Sequence, residues 1–197
     1  MKELLVATKN QGKVKEFREM FSSYGISVKS LLDFDSSIDI EETGETFEEN
    51  AAIKAEAMMK ELSLPVVADD SGLEVDALNG QPGVYSARYA GIEKDDEKNM
   101  QKLLKELEGT DGPERTARFV CAVAVARPGK ETFIERGTCE GKIAEAPKGT
   151  QGFGYDPLFI PEGSTRTMAE HTSEEKNTIS HRHHAIKKIE QWLKTQS

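Results

Sequence analysis

Thr116-Ala-Arg-Phe-Val-Cys-Ala-Val-Ala-Val-Ala126 becomes apolar on both of the faces an extended chain presents. From Phe119 onward, Phe119, Cys121, Val123 and Val125 alternate with Val120, Ala122, Ala124 and Ala126. Such a strand has to be covered on both sides, which predicts the central strand of an α/β sheet with helices on its faces. Thr132 to Cys139 reads as its neighbour. Upstream, Pro65 restarts the chain into a short apolar strand, Val66 to Asp69. The N-terminus follows the same logic: Leu4 to Ala7 is a buried strand and Asn10 a helix N-cap. Val14, Phe17, Phe21 and Tyr24 recur at helical spacing, Gly25 stops the helix, and Ile26 to Leu32 is a second strand.

The remaining elements are read from caps and turn residues. Asp33 to Gly44 is an acidic loop, and Thr46-Phe-Glu-Glu49 is a capping box for a helix to about Leu62, with Ala51, Ala55, Met58 and Leu62 on one face. Asn79-Gly-Gln-Pro-Gly83 has turn chemistry. Asp95 to Glu108 reads as a charged helix stopped by Gly109, and Leu158 to Ile160 as a short strand after a glycine-rich loop. Ser180 caps a last helix with Ile186, Ile189, Trp192 and Leu193 facing inward. No repeat, low-complexity tract or linker interrupts the chain.

Composition restricts the partners. The 197 residues, 37% hydrophobic, suffice for one sizeable core or two small lobes sharing one. A net charge of −9 repels nucleic acid and anionic membranes at long range. The two cysteines, Cys121 and Cys139, lie in strand-like segments without metal-ligand spacing, so reduced core thiols are expected rather than a disulfide framework. The charged opening Met1-Lys-Glu is no secretory signal, and no run approaches the ~18 apolar residues that span a bilayer. These features predict a soluble cytoplasmic protein.

Four constellations carry chemistry. Thr8-Lys-Asn-Gln-Gly-Lys13 lies between a strand and a helix start, where free N–H groups and the helix dipole favour an anion. It lacks the Walker pattern, and taken alone it reads as a capped turn with a solvated lysine. In Asp69-Asp70-Ser71-Gly72, alternation in a strand sends the two carboxylates to opposite faces. One is expected in a cleft at the strand end and the other held by neighbouring groups, with Ser71-Gly72 turning the chain sharply. The bland reading is a polar strand end. Glu41-Glu42 could join a carboxylate from another segment on a hard divalent ion together with phosphate oxygens, with Lys54 on the following helix binding phosphate or holding an aspartate ionised; the alternative is a solvated acidic loop and an exposed helix lysine. Phe153-Gly-Tyr-Asp156 offers an aromatic platform for a base. Lys176 and Ser180-His-Arg-His-His184 form a basic group whose cations at a helix start oppose the dipole, which favours a bound anion; the histidine spacing does not suit zinc.

Together these are the parts of a nucleoside-polyphosphate site, and over nearly its whole length the chain resembles the inosine/xanthosine triphosphate pyrophosphatase family. The motifs are Thr8-x-Asn10-x-x-Lys13, Glu41-Glu-Thr-Gly44, Phe47-x-Glu-Asn50 with Lys54, Ala68-Asp-Asp-Ser-Gly-Leu73, Gly80-x-Pro-Gly-Val-Tyr-Ser-Ala-Arg-Tyr-Ala90, Gly152-Phe-Gly-Tyr-Asp-Pro157 and Ser180-His-Arg182. Lys9 stands where glycine is often found. The resemblance implies an elongated, two-lobed α/β fold with mixed sheet, helices on its faces and a cleft between lobes, one pyrophosphatase domain over 1–197, usually a homodimer. It implies that Thr8, Lys9, Asn10, Gln11, Gly12 and Lys13 hold the triphosphate. Asp70 is the general base and a Mg²⁺ ligand with Glu41, Glu42 or both, Ser71 touches substrate and Lys54 supports the phosphates. Phe153, Gly154, Tyr155, Asp156, Lys176, His181 and Arg182 hold the base and remaining charge. The implied reaction releases pyrophosphate from ITP, dITP or XTP. A pyrimidine triphosphate pyrophosphatase and a non-catalytic nucleotide-binding protein remain as alternative classes.

Overall fold

The structure is a computed structural model, and it describes residues 3–22, 25–33 and 40–195. Tyr24, residues 34–39 of the acidic loop and the side chain of Leu193 lie outside the described residues. In chain order the elements are β1 (Glu3–Val6), α1 (Gln11–Ser22), β2 (Ser27–Ser30), α2 (Phe47–Leu62), β3 (Val66–Val75) and α3 (Asp96–Glu106). They continue with β4 (Thr116–Ala126), β5 (Phe133–Ile143), β6 (Phe159–Pro161), α4 (Ser173–Ile179) and α5 (His181–Thr195). The strands form one six-stranded sheet in the order β2-β1-β3-β4-β5-β6. β1 runs parallel to both β2 and β3, while β5 and β6 are antiparallel, so the sheet is mixed.

The chain divides into two compact units. The first comprises 1–70, 121–137 and 183–197. Its core packs Val6, Phe17, Phe21, Val67, Val123 and Ile189, drawn from β1, α1, β3, β4 and α5. The stacked rings of Phe17 and Phe21, one helical turn apart, are nearly inaccessible. Each such ring contributes roughly 1.5–3 kcal/mol by leaving water. Ala51, Ala55 and Met58 bury one stripe of α2 as the sequence predicts, while Leu62 is half-buried at the helix end. The second unit comprises 71–120 and 138–182, and its core includes Leu73, Leu103, Leu107, Phe119, Leu158 and Phe159.

β4 coincides with the strand read first, and its last eight residues are all buried. The structure corrects the reading at several points. Ser71-Gly72 makes no turn, because β3 continues for ten residues to Val75. The reason lies beyond the aspartates: Leu73 and Val75 are buried, and Ser86 Oγ holds the Leu73 N–H at 2.8 Å. An unforeseen helix, α4, is opened by the Thr172/Glu175 capping box. β5 also runs on to Ile143, past the Cys139 end expected for it. Among the described residues no helix is long and apolar enough to cross a membrane.

Candidate active site

In the first unit, the site begins where β1 ends beside its parallel neighbour β3. Leu5 lies opposite Val66 and Val6 opposite Val67, so β1 finishes two residues before the level of Asp69, while β3 runs on to Val75. From β1 the chain enters the 8–13 loop. Thr8 Oγ1 accepts the Asn10 N–H at 3.2 Å and Asn10 Oδ1 accepts the Lys13 N–H at 3.0 Å, the N-cap the sequence predicts for α1. Lys9, Asn10 and Gln11 are exposed, and Gly12 and Lys13 half-buried, at the positive end of the helix dipole.

From β3 come the two carboxylates, and alternation separates them as expected. Asp69 Oδ2 takes Lys13 Nζ at 3.0 Å, with Cys121 Sγ at 3.8 Å. Asp70 meets α2 instead: Oδ2 accepts from Asn50 Nδ2 at 3.1 Å, and Oδ1 lies 3.7 Å from Lys54 Nζ. The same ammonium contacts Glu42 Oε1 at 2.5 Å. Lys54 therefore stands between Glu42 and Asp70, and Glu41 is exposed. The α2 geometry explains the convergence, since Asn50 and Lys54 are four residues apart and share one face. Burial pushes the Asp70 carboxyl above its ordinary range, with Lys54 and Lys13 pulling the other way. Lys54 stays firmly charged: burial opposes its charge, but the Asp70 and Glu42 carboxylates outweigh that and its pKa is raised. Burial drives the Cys121 thiol well up, in keeping with an inert core thiol.

In the second unit, the glycine-rich loop is braced from inside. Asp156, itself buried, accepts from Lys176 Nζ at 2.8 Å and from the Phe153 N–H at 3.0 Å on the same Oδ2. Lys176 also lies over the Phe153 ring, 4.8 Å from its centroid. A Cβ on Gly152 would meet Asp156 Oδ2 at 2.0 Å on a backbone of φ +81°, so only glycine fits there. Tyr155 is buried and donates its hydroxyl to the Ser86 carbonyl at 2.8 Å, and the Gly154 N–H donates to Asp96 Oδ2 at 2.7 Å. Arg182 is 1% exposed, and its Nη2 donates to Ser71 Oγ at 3.0 Å. Burial lowers its pKa to about 9. His181 is buried with its ring stacked on Phe119 at 5.0 Å.

The sequence-derived set thus falls into two clusters. Thr8 to Lys13, Asp70, Lys54 and Glu42 belong to the first unit. Ser71, Phe153 to Asp156, Lys176, His181 and Arg182 belong to the second. Tyr155 and Asp156 turn inward, bracing the loop from beneath. Asn50 and Asp96 were not among the residues assigned a role. The capping box before α2 places Asn50 four residues ahead of Lys54, but nothing in the sequence reveals the partner of Asp96. Among the described residues no three His, Cys, Asp or Glu side chains gather as a metal cage. Glu42 and Asp70, two hard-oxygen donors already sharing one cation, fit an ion whose other ligands are phosphate oxygens and water.

A model of the Ham1 family matches residues 4–192. The dITP/XTP pyrophosphatase of Halalkalibacterium halodurans is 58% identical over 98% of this chain and 100% of its own length. That of Bacillus subtilis is 56% identical over 98% of each. Among solved structures, the Ham1 protein of Staphylococcus aureus superposes with a TM-score of 0.88 at 46% identity, covering 100% of both chains. A HAM1 protein from Coxiella burnetii gives 0.88 at 43%, covering 99% of this chain and 100% of that one.

Proposed function

The chain belongs to the Ham1 family, and from that premise we propose that it hydrolyses the deaminated purine nucleoside triphosphates dITP, ITP and XTP to the monophosphate and pyrophosphate, cleansing the nucleotide pool. The observation that carries the reading is the buried Asp70, held by Asn50 and flanked by a Lys54 that it shares with Glu42.

In this reading the loop from Thr8 to Lys13 binds the phosphate chain at the positive end of the α1 dipole, and Lys54 adds a fixed positive charge beside it. Asp70 takes the proton from the attacking water at a carboxylate oxygen. A carboxylate made more basic by burial suits that task as long as it is ionised at the working pH, and Lys54 and Lys13 favour the ionised form. Glu42, with Glu41 beside it, and Asp70 would hold Mg²⁺, which when bound supplies neutralisation of the phosphate charge and of the leaving pyrophosphate. In the second unit Phe153 serves the purine face, while Lys176, His181, Arg182 and Ser71 serve its polar edge and the remaining charge. Hypoxanthine and xanthine present a 6-keto acceptor where adenine presents an amino donor. Buried donors facing an amino group are left without an acceptor, which disfavours adenine by on the order of 1–3 kcal/mol per lost bond.

Both units act in this reading as one catalytic domain, in a cytoplasmic homodimer that engages no nucleic-acid polymer. The charge of −9 supports the last point. The test is pyrophosphate release from ITP, XTP, dITP, ATP and GTP, with and without Mg²⁺. Selective, Mg²⁺-dependent release from the first three is expected. Equal cleavage of ATP and GTP sinks the substrate assignment, a preference for pyrimidines favours a different hydrolase, and no release at all favours a binding protein.

A further inference from the structure

Asn50 is fully buried, and its amide is used at both ends. Nδ2 donates to Asp70 Oδ2 at 3.1 Å, and Oδ1 accepts the Gly44 N–H at 2.8 Å. Gly44 closes the segment that carries Glu41 and Glu42. That segment comes in tightly: a Cβ on Gly44 would lie 2.8 Å from Asn50 Oδ1 and 2.7 Å from Glu49 Cβ. Glu49 is the reciprocal member of the capping box, and its side chain also accepts the Glu45 N–H at 2.7 Å. One amide thus ties an acidic loop and the acidic middle of β3 to the first turn of the same helix.

We propose that Asn50 is a positioning residue for hydrolysis: it holds Asp70 in the rotamer that aims it at the attacking water, and it keys the Glu41-Glu42 loop to the same point. The inference rests on the reading of Asp70 as the general base. Chemistry selects the residue type. A buried carboxylate needs a donor that does not neutralise it, and a backbone N–H needs an acceptor. Of the side chains short enough for this gap, asparagine supplies one of each in a single plane. A carboxylate free to rotate about its Cα–Cβ and Cβ–Cγ bonds would meet the water in the right orientation only part of the time. The loss then falls on turnover rather than on nucleotide binding.

The experiment compares Asn50→Ala and Asn50→Asp with Asp70→Asn and with the Asn50→Ala/Asp70→Asn double variant. The readouts are kcat and KM for dITP, thermal midpoints, and calorimetric binding of dITP without Mg²⁺. Asn50→Asp keeps an acceptor for Gly44 and the side-chain shape but loses the donor to Asp70, so it remains informative should Asn50→Ala fail to fold. Expected is a fall in kcat of roughly 10–100-fold in both single variants. KM and metal-free dITP binding should stay within about twofold, and Asn50→Ala should cost no further kcat once Asp70 is already Asn. Normal kcat in both single variants, a loss confined to KM, or costs that multiply in the double variant would overturn the proposal. If instead Asp70→Asn itself turns over normally, it is the reading of Asp70 that fails.

Discussion

At the scale of single residues, the adjacent carboxylates in the middle of β3 have different tasks because a strand sends them to different faces. Asp69 is committed to Lys13, in a pair whose side chains are 0% and 14% exposed. Removing one member of a buried pair leaves a charge stranded and typically costs 3–5 kcal/mol. With Lys13 slightly exposed, Lys13→Met should cost about 3 kcal/mol, a drop in melting temperature of roughly 10 °C for a chain of this size. Adding Asp69→Asn should recover most of that in a calorimetric scan while activity stays low, because the phosphate-side ammonium is still missing. If the double variant melts no higher than Lys13→Met, the pair is not what holds this corner. Asp70→Asn tests the other face: circular dichroism and melting should stay close to the parent while kcat falls by roughly 10²–10⁴-fold. Near-normal turnover would remove Asp70 from the chemistry.

At the scale of elements, α2 acts as the ruler of the first cluster. Thr46 caps it, Asn50 reaches Asp70, and one turn later Lys54 reaches Asp70 and Glu42. Gly44→Ala should therefore act at a distance from the chemistry. Its Cβ cannot be accommodated against Glu49 and Asn50, so the loop bearing Glu42 must shift. The expected outcome is a several-fold rise in the Mg²⁺ concentration needed for half-maximal activity, with a melting temperature only a few degrees lower. An unchanged Mg²⁺ titration would show that the Glu42 loop takes no part. This element also marks what the sequence could reveal. The capping box, the buried stripe of α2 and the two-faced β4 are periodic or local signals and were legible. The path of β3 past Asp70 was not, because Ser71-Gly72 has turn chemistry and only tertiary contacts at Leu73 and Ser86 keep it extended. The order Glu42 before Glu41 on Lys54 was equally hidden, since it depends on how the loop folds back along the helix that follows it. The helix carrying Lys176 had a visible Thr172/Glu175 box; its brevity, seven residues, left no periodicity to read.

At the scale of the whole molecule, the response of folding to acid follows from which carboxyls the fold favours ionised. Asp33, Asp76, Glu170 and Glu175 all lie below their ordinary values, held there by hydrogen bonds from backbone N–H groups or arginines. Asp70 and Asp156 lie above theirs, chiefly through burial. The two groups have opposite signs. A depressed carboxyl stabilises the fold above its unfolded value, near 4, and loses that contribution as pH falls through its folded value. A raised carboxyl favours the fold below its unfolded value and loses that contribution as pH rises through the folded one. Asp76 allows the first effect to be isolated. It receives Arg118 at 2.9 and 3.0 Å and Thr116 at 2.7 Å, while the same arginine also reaches Glu140 at 3.0 Å. The carboxylate is 44% exposed, so solvent screening limits the contribution to about 1 kcal/mol. Asp76→Asn should accordingly lower the melting temperature by roughly 2–4 °C at pH 7. The gap from the parent should close as pH is lowered below 4, because the parent's Asp76 is then protonated as well. A gap that stays constant from pH 7 to pH 3 would mean that packing or the Thr116 hydroxyl, rather than the ionised carboxylate on Arg118, is what the substitution removes.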